Sequence, residues 1–431
     1  MRFSKLFIVS VLIVSAMGCG GGSSITVPPP PPPVPSSISV TVTFIFGIDT
    51  VAVQIGSGAF AAQTLQKNPS GLGQLNLTLP SMTSKYAIAW HCVLGVAPNS
   101  FGDFVLEATP ADGTQYNLGC SLTQPPPPAI GTFLGSGNVD ASAIGAVSFI
   151  SIYGNQARGG ISGASGAFSI NLFTGINDVA FVPTSVSDIL AVKIVRNQTV
   201  PGAINGGNPV VIGSNDMTST QPLTVGSIPA GFSTSPTVVT FQTANGTAVP
   251  LAQATTQYPA LPQGAVQSGD RYVFTTQVSN ATTKQSLGLA QSSTDGGPVT
   301  LSAFPQPWSY SGPAPAAFPT FTFNYSGFTG LPVVTEDTRI STVAVDAGEP
   351  VFLSLEVLAT GSYQNGANTI TIPDLSALPV STHLAGAPSG TLISWSAFIT
   401  AGSAPEMQFL PNLGANNTVS TVGNSGAYTV P

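Results

Sequence analysis

Apolar residues in this chain recur at every second position. Over 37–46, SISVTVTFIF, the residues Ile38, Val40, Val42, Phe44 and Phe46 alternate with smaller ones. A β-strand turns successive side chains to opposite faces, so this period marks a strand with one buried face. TVAVQIG repeats it with Val51, Val53 and Ile55, and QLNLTLP with Leu75, Leu77 and Leu79. Beyond the apolar run at 6–16 no segment sustains a 3.6-residue helical period. The chain carries 47 glycines and 38 prolines, so it must turn often. Short strands between frequent turns close their cores as sandwiches. The expectation is an all-β chain with three or four antiparallel β-sandwich domains in series.

Charge excludes whole classes of partner. Charged residues are 6% of the chain, against roughly 25% in typical soluble domains. Ten Lys and Arg in 431 residues, with a formal charge of −7, cannot line a phosphate backbone, so nucleic acid is not an expected partner. Solubility must rest on Ser, Thr, Asn, Gln and Gly.

The chain opens MRFSKLFIVSVLIVSAMGC. Arg2 and Lys5 precede an apolar run over 6–16, which as a helix spans only ~16 Å of a ~30 Å bilayer core. That is the form of a signal peptide. Ala16-Met17-Gly18-Cys19 resembles the lipobox of bacterial lipoproteins. The resemblance implies cleavage after residue 18 and acylation of Cys19. Gly20, in place of Asp, implies delivery to the outer membrane where the host has two membranes. GGGSSITVPPPPPPVPSS follows, flexible at 20–24 and a stiff polyproline rod of roughly 19 Å at 28–33. Residues 1–18 are thus expected as leader and 19–37 as a disordered Gly/Pro tether.

With Cys19 assigned to lipid, Cys92 and Cys120 remain, an even pair in an exported chain. In SKYAIAWHCV, Tyr86, Ile88, Trp90 and Cys92 share a strand face; in TQYNLGC, Tyr116, Leu118 and Cys120 do. Both cysteines therefore face inward, and a disulfide is expected. Closing about 28 residues contributes on the order of 3–4 kcal/mol. Metal ligation by His91, Cys92 and Cys120 is the rival, but neighbouring strand residues point to opposite faces.

Four folded segments are expected. Residues 38–123 hold the first strands and the cysteines, and Trp90 beside the disulfide resembles the core of an Ig-like sandwich. The prolines at 125–128 end it. Residues 129–230 carry glycine and aliphatic spacings at 137–139, 147–152, 166–170 and 178–182. These resemble the carboxypeptidase-regulatory-like, transthyretin-type β domain, although the tyrosine usual in the last segment is missing. The resemblance implies a sandwich without catalytic residues. A third segment, 235–303, contains LPQGAVQSGDRYVFTTQV, parallel to LPSMTSKYAIAWHCV in the first. A fourth, 319–431, repeats the frame as AGEPVFLSLEVL.

Chemistry is sparse. The two histidines, His91 and His383, fall in different segments, and no nucleophile elbow, His-Glu-x-x-His or phosphate loop occurs. Glu336-Asp337 and Asp346 with Glu349 are the close carboxylate sets; a converging pair could hydrolyse a glycoside, but their places read as solvated turns beside strands. Trp308 and Tyr310 lie between Pro305, Pro307 and Pro313, on a stiff connector that suits a packed wedge or a glycan-stacking surface. The sequence therefore points to a non-enzymatic, lipid-anchored envelope protein of structural, scaffolding or adhesive role, without cofactor or metal. Its expected partners are the membrane, through the anchor, and envelope proteins or polysaccharide. A glycan-binding module using Trp308 and Tyr310 is the alternative, and a carboxylate-dependent hydrolase a remote one.

Overall fold

Alternation in sequence becomes alternation in burial. Ile38–Phe44 buries Val40, Val42 and Phe44 completely, and Gly73–Leu79, its antiparallel neighbour, buries Leu75, Leu77 and Leu79. The computed structural model describes residues 37–431 apart from 45–47, 49, 69–71, 97–98, 121–131, 156–157, 174, 187, 201, 329, 347–348, 379–387 and 403–416. The leader, Cys19, the tether up to residue 36, the prolines at 125–128 and His383 lie outside the described residues.

The fold is all-β and sandwich-like. Antiparallel pairing dominates, and among the described residues four pairings are parallel. A 13-stranded sheet organises the molecule. From one edge it runs Ala248–Ala254, Thr237–Gln242, Arg271–Asn280, Gln285–Ser293, Thr418–Thr429, Leu392–Gly402, Val333–Asp346, Glu349–Thr360, Asn99–Ala108, Tyr86–Val96, Val51–Ile55 and Ala61–Gln63. Ser233–Thr234 pairs beside Arg271–Asn280. Strands from 38–123, 235–303 and 319–431 thus share one hydrogen-bonded sheet. The join between first and last segments is the parallel pairing of Glu349–Thr360 with Asn99–Ala108, Phe352 opposite Ser100 through Ala359 opposite Glu107.

That sheet buries both faces where it crosses the first segment. Ala87, Ala89 and Val105 enter the largest core, while Tyr86, Ile88, Trp90, Phe104 and Leu106 enter a second. A strand covered on both sides must be apolar at successive positions, hence the unbroken YAIAW. The second core is closed by the sheet of Gln66–Lys67, Gly73–Leu79, Ile38–Phe44 and Gln115–Leu118. The largest core is covered in part by Ser219–Thr224, paired with Gln257–Ala260 and Val299–Thr300, and by Thr320–Thr322 paired with Thr369–Thr371.

Residues 132–211 form a further two-sheet unit. One sheet orders Arg158–Ser162, Phe149–Tyr153, Gly175–Thr184 and Lys193–Val200; the other, Ser165–Phe173, Thr132–Asp140 and Val210–Val211. Ile150, Ile152, Phe168, Ile170, Leu172 and Phe181 fill the space between, with Phe168 edge-on to Phe181 at 5.0 Å.

Candidate functional site

The strand Val333–Asp346 sits between Glu349–Thr360 and Leu392–Gly402. Its two-residue period sends Glu336, Thr338 and Ile340 to one face and Asp337 and Arg339 to the other. Thr338 and Ile340 are buried in the sheet, as the pattern requires, and Glu336 follows them inward although it is a carboxylic acid; it is 6% exposed. The expectation of solvated turn residues fails for Glu336 and Asp337: both stand inside a central strand. The two cannot act together in one cleft, because they face opposite ways. The side chains of Asp346 and Glu349 lie outside the described residues.

Glu336 lines a cleft of about 540 Å³. The cleft is built by the turn after Glu349–Thr360. Thr360 caps the one-turn helix Gly361–Gln364: its hydroxyl accepts from the Tyr363 amide at 3.1 Å and donates to Asp112 Oδ2 at 2.7 Å. Asn365 ends the turn in the left-handed region at φ 47°. Gln364 points back into the protein and, with its amide oriented to donate to the Ala367 and Thr369 carbonyls at 3.0 and 3.3 Å, anchors the next loop. Asn368 hydrogen-bonds Asn324 across the mouth, and the Asn368 carbonyl accepts from the Phe323 amide at 2.6 Å. Tyr325 lines the cleft with its hydroxyl already donated to the Gln306 carbonyl at 2.5 Å, so its ring is what it offers.

Glu336 Oε2 is buried without a hydrogen-bond partner. Loss of water favours the neutral acid, and burial pushes the Glu336 carboxyl up to about 7. Two strands along the same face, Glu107 is likewise raised to about 7 by burial, against the pull of Lys85. On the opposite face the Asp337 carboxyl is held well above the usual range by burial and by Glu356, with Arg339 opposing. None of the residues lining the cleft is basic.

The other expected site residues lie elsewhere. Cys92 and Cys120 form a disulfide with Cα atoms 5.6 Å apart, beside Trp90, whose Nε1 donates to the Gly119 carbonyl at 2.8 Å. His91 points to the other face of its strand, where Nδ1 meets Asp103 Oδ1 at 2.7 Å and the ring stacks on Phe101. Trp308 is 3% exposed. It stacks on Tyr310 with centroids 4.8 Å apart and on Phe323 at 5.7 Å, and Tyr310 meets Trp395 edge-on at 5.5 Å. Gly312 and Gly426 make room for Trp395: a Cβ at either would lie 2.7 Å from its ring. Trp308 therefore packs within the largest core and presents no open face for stacking on a sugar. Glu336 was visible in the sequence only as one half of a carboxylate pair. The signal for its burial was its phase, two and four residues before Thr338 and Ile340.

Among the described residues no helix is long and apolar enough to cross a membrane, and no cluster of three or more His, Cys, Asp or Glu is placed to hold a metal ion. No protein-family model and no curated protein matches the sequence. Among solved structures the chain is similar to the tip fimbrial protein Mfa3 from Porphyromonas gingivalis with a C-terminal truncation, at 12% identity and a TM-score of 0.17, over 38% of this chain and 81% of that one.

Proposed function

We propose that this chain is a non-catalytic, lipid-anchored protein of the bacterial cell envelope, attached through Cys19 at the outer membrane and serving a structural, scaffolding or adhesive role. The observation that carries the reading is the Cys92–Cys120 disulfide. Such bonds persist where the surroundings are oxidising, outside the cytosol. The basic and apolar leader before Cys19, the proline-stiffened tether and a surface that depends on uncharged polar residues support it. In the same reading 129–230 is a carboxypeptidase-regulatory-like module, a spacer and not an enzyme. Partners are envelope proteins or polysaccharide met at a distance set by the tether.

The test is Cys19→Ser. With the anchor, wild-type protein expressed in a bacterial host with labelled palmitate takes up label and sediments with membranes; the variant does neither. A variant that is still labelled and still extracted only by detergent overturns the anchor.

A further inference from the structure

A carboxylic acid in a central strand, turned inward with one oxygen unpartnered, is costly to keep. An apolar or hydroxyl residue in its phase, as at Ile340 and Thr338, would serve the fold better. Glu336 lines an open cleft, so its carboxyl group borders a space a small ligand can enter, although Oε2 itself has no exposed surface. The volume, about 540 Å³, is that of a small-molecule site. With no basic side chain in the lining, the cleft supplies no countercharge to an anion. What it lacks is a cation. An ammonium donates hydrogen bonds and supplies the countercharge that a buried carboxylate needs. The half-buried Tyr325, with its hydroxyl committed to Gln306, presents a ring that attracts the same charge. Asn324 and Asn368 at the mouth suit a ligand body that carries hydroxyls or amides.

We infer that the Glu336 cleft binds a small organic cation: a primary ammonium seated on Glu336, borne on a short polar body such as an amino sugar or a diamine. Trp308 does not line the cleft.

The test is calorimetric titration of the full chain in detergent at neutral pH with glucosamine and putrescine, against glucose, N-acetylglucosamine and acetate as neutral and anionic controls. At least one amine binds, about tenfold or more tighter than every control. Glu336→Gln keeps the shape, removes the charge and weakens amine binding by about tenfold or more, with melting retained. Ser326→Trp, which fills the cleft from an exposed position, abolishes binding and serves as the deciding variant should Glu336→Gln not fold. No binding of either amine at about 10 mM, glucose bound as tightly as glucosamine, or a folded Glu336→Gln or Ser326→Trp protein that binds as wild type does, each overturns the inference.

Discussion

Arg196 forks onto Asp270 across 74 residues of sequence, Nη1 to Oδ1 at 3.0 Å and Nη2 to Oδ2 at 2.5 Å. The same guanidinium donates to Asp178 Oδ2 at 3.2 Å and to the Ala265 carbonyl at 2.7 Å. Asn245 and the Asn197 amide also donate to Asp178 Oδ1. The cluster ties the two-sheet unit at 132–211 to the strand Arg271–Asn280. Both acids are almost fully buried, so removing the cation leaves two charges uncompensated. Arg196→Ala is expected to cost about 3–5 kcal/mol in denaturant unfolding. Arg196→Lys, a point charge without the fork, recovers only part. A loss under about 1 kcal/mol would show that water relieves both acids.

Stability is expected to fall as pH rises through weakly acidic values. Glu336 and Glu107 both lie near 7 in the folded chain, above the ordinary 4.5 of an unfolded one. Between those values the folded state binds more protons, so unfolding becomes easier with each unit of pH, and the loss is complete above about 7. For a group shifted this far the change is on the order of 3 kcal/mol. Asp178 acts in the opposite sense. Burial works to raise its carboxyl, but the Asn197 amide, Asn245, Thr243 and Arg196 outweigh it and hold it below the ordinary value. Its contribution is present above that ordinary value and is lost as pH falls through the lowered one. Melting temperature should therefore peak in the mildly acidic range. Glu336→Gln should flatten the alkaline side of that curve; an unchanged slope would place the titration elsewhere.

Reduction of the Cys92–Cys120 bond should lower stability by about 3–4 kcal/mol, the chain-entropy value for its loop. Mass spectrometry of non-reduced protein isolated from the producing cells should find the two cysteines joined. Two free thiols there would remove the observation on which the exported reading stands.

Trp308→Ala should cost about 3–5 kcal/mol, because the ring sits among Tyr310, Phe323 and the wall formed by Trp395. Asn424, whose Nδ2 donates to the Trp308 carbonyl at 3.1 Å, holds the connector's backbone and is untouched by that change. Unaltered melting together with lost saccharide binding in the variant would reverse the assignment.

Local rules determined much of this protein. The period of two in SISVTVTFIF, QLNLTLP and RYVFTTQV was enough to place strands, because pleating is a property of adjacent residues. It also turned Cys92 and His91 to opposite faces, and so set disulfide against metal. Only the tertiary structure decided which strands meet. Pairing of Phe352 with Ser100 joins positions 252 apart, and no local pattern encodes such a register. For the same reason the sequence divided 38–123, 235–303 and 319–431 into separate segments, while their strands lie in one sheet. Glu336 shows the limit most plainly. Its phase along the strand was written in TEDTRI, but its burial depends on Leu392–Gly402 and Glu349–Thr360 flanking it. The cleft before it depends on a turn capped by Thr360 and on Asn324, brought to Asn368 across 44 residues. Burial and long-range pairing are properties of the folded surface, and those contacts arise only when distant strands close on one another.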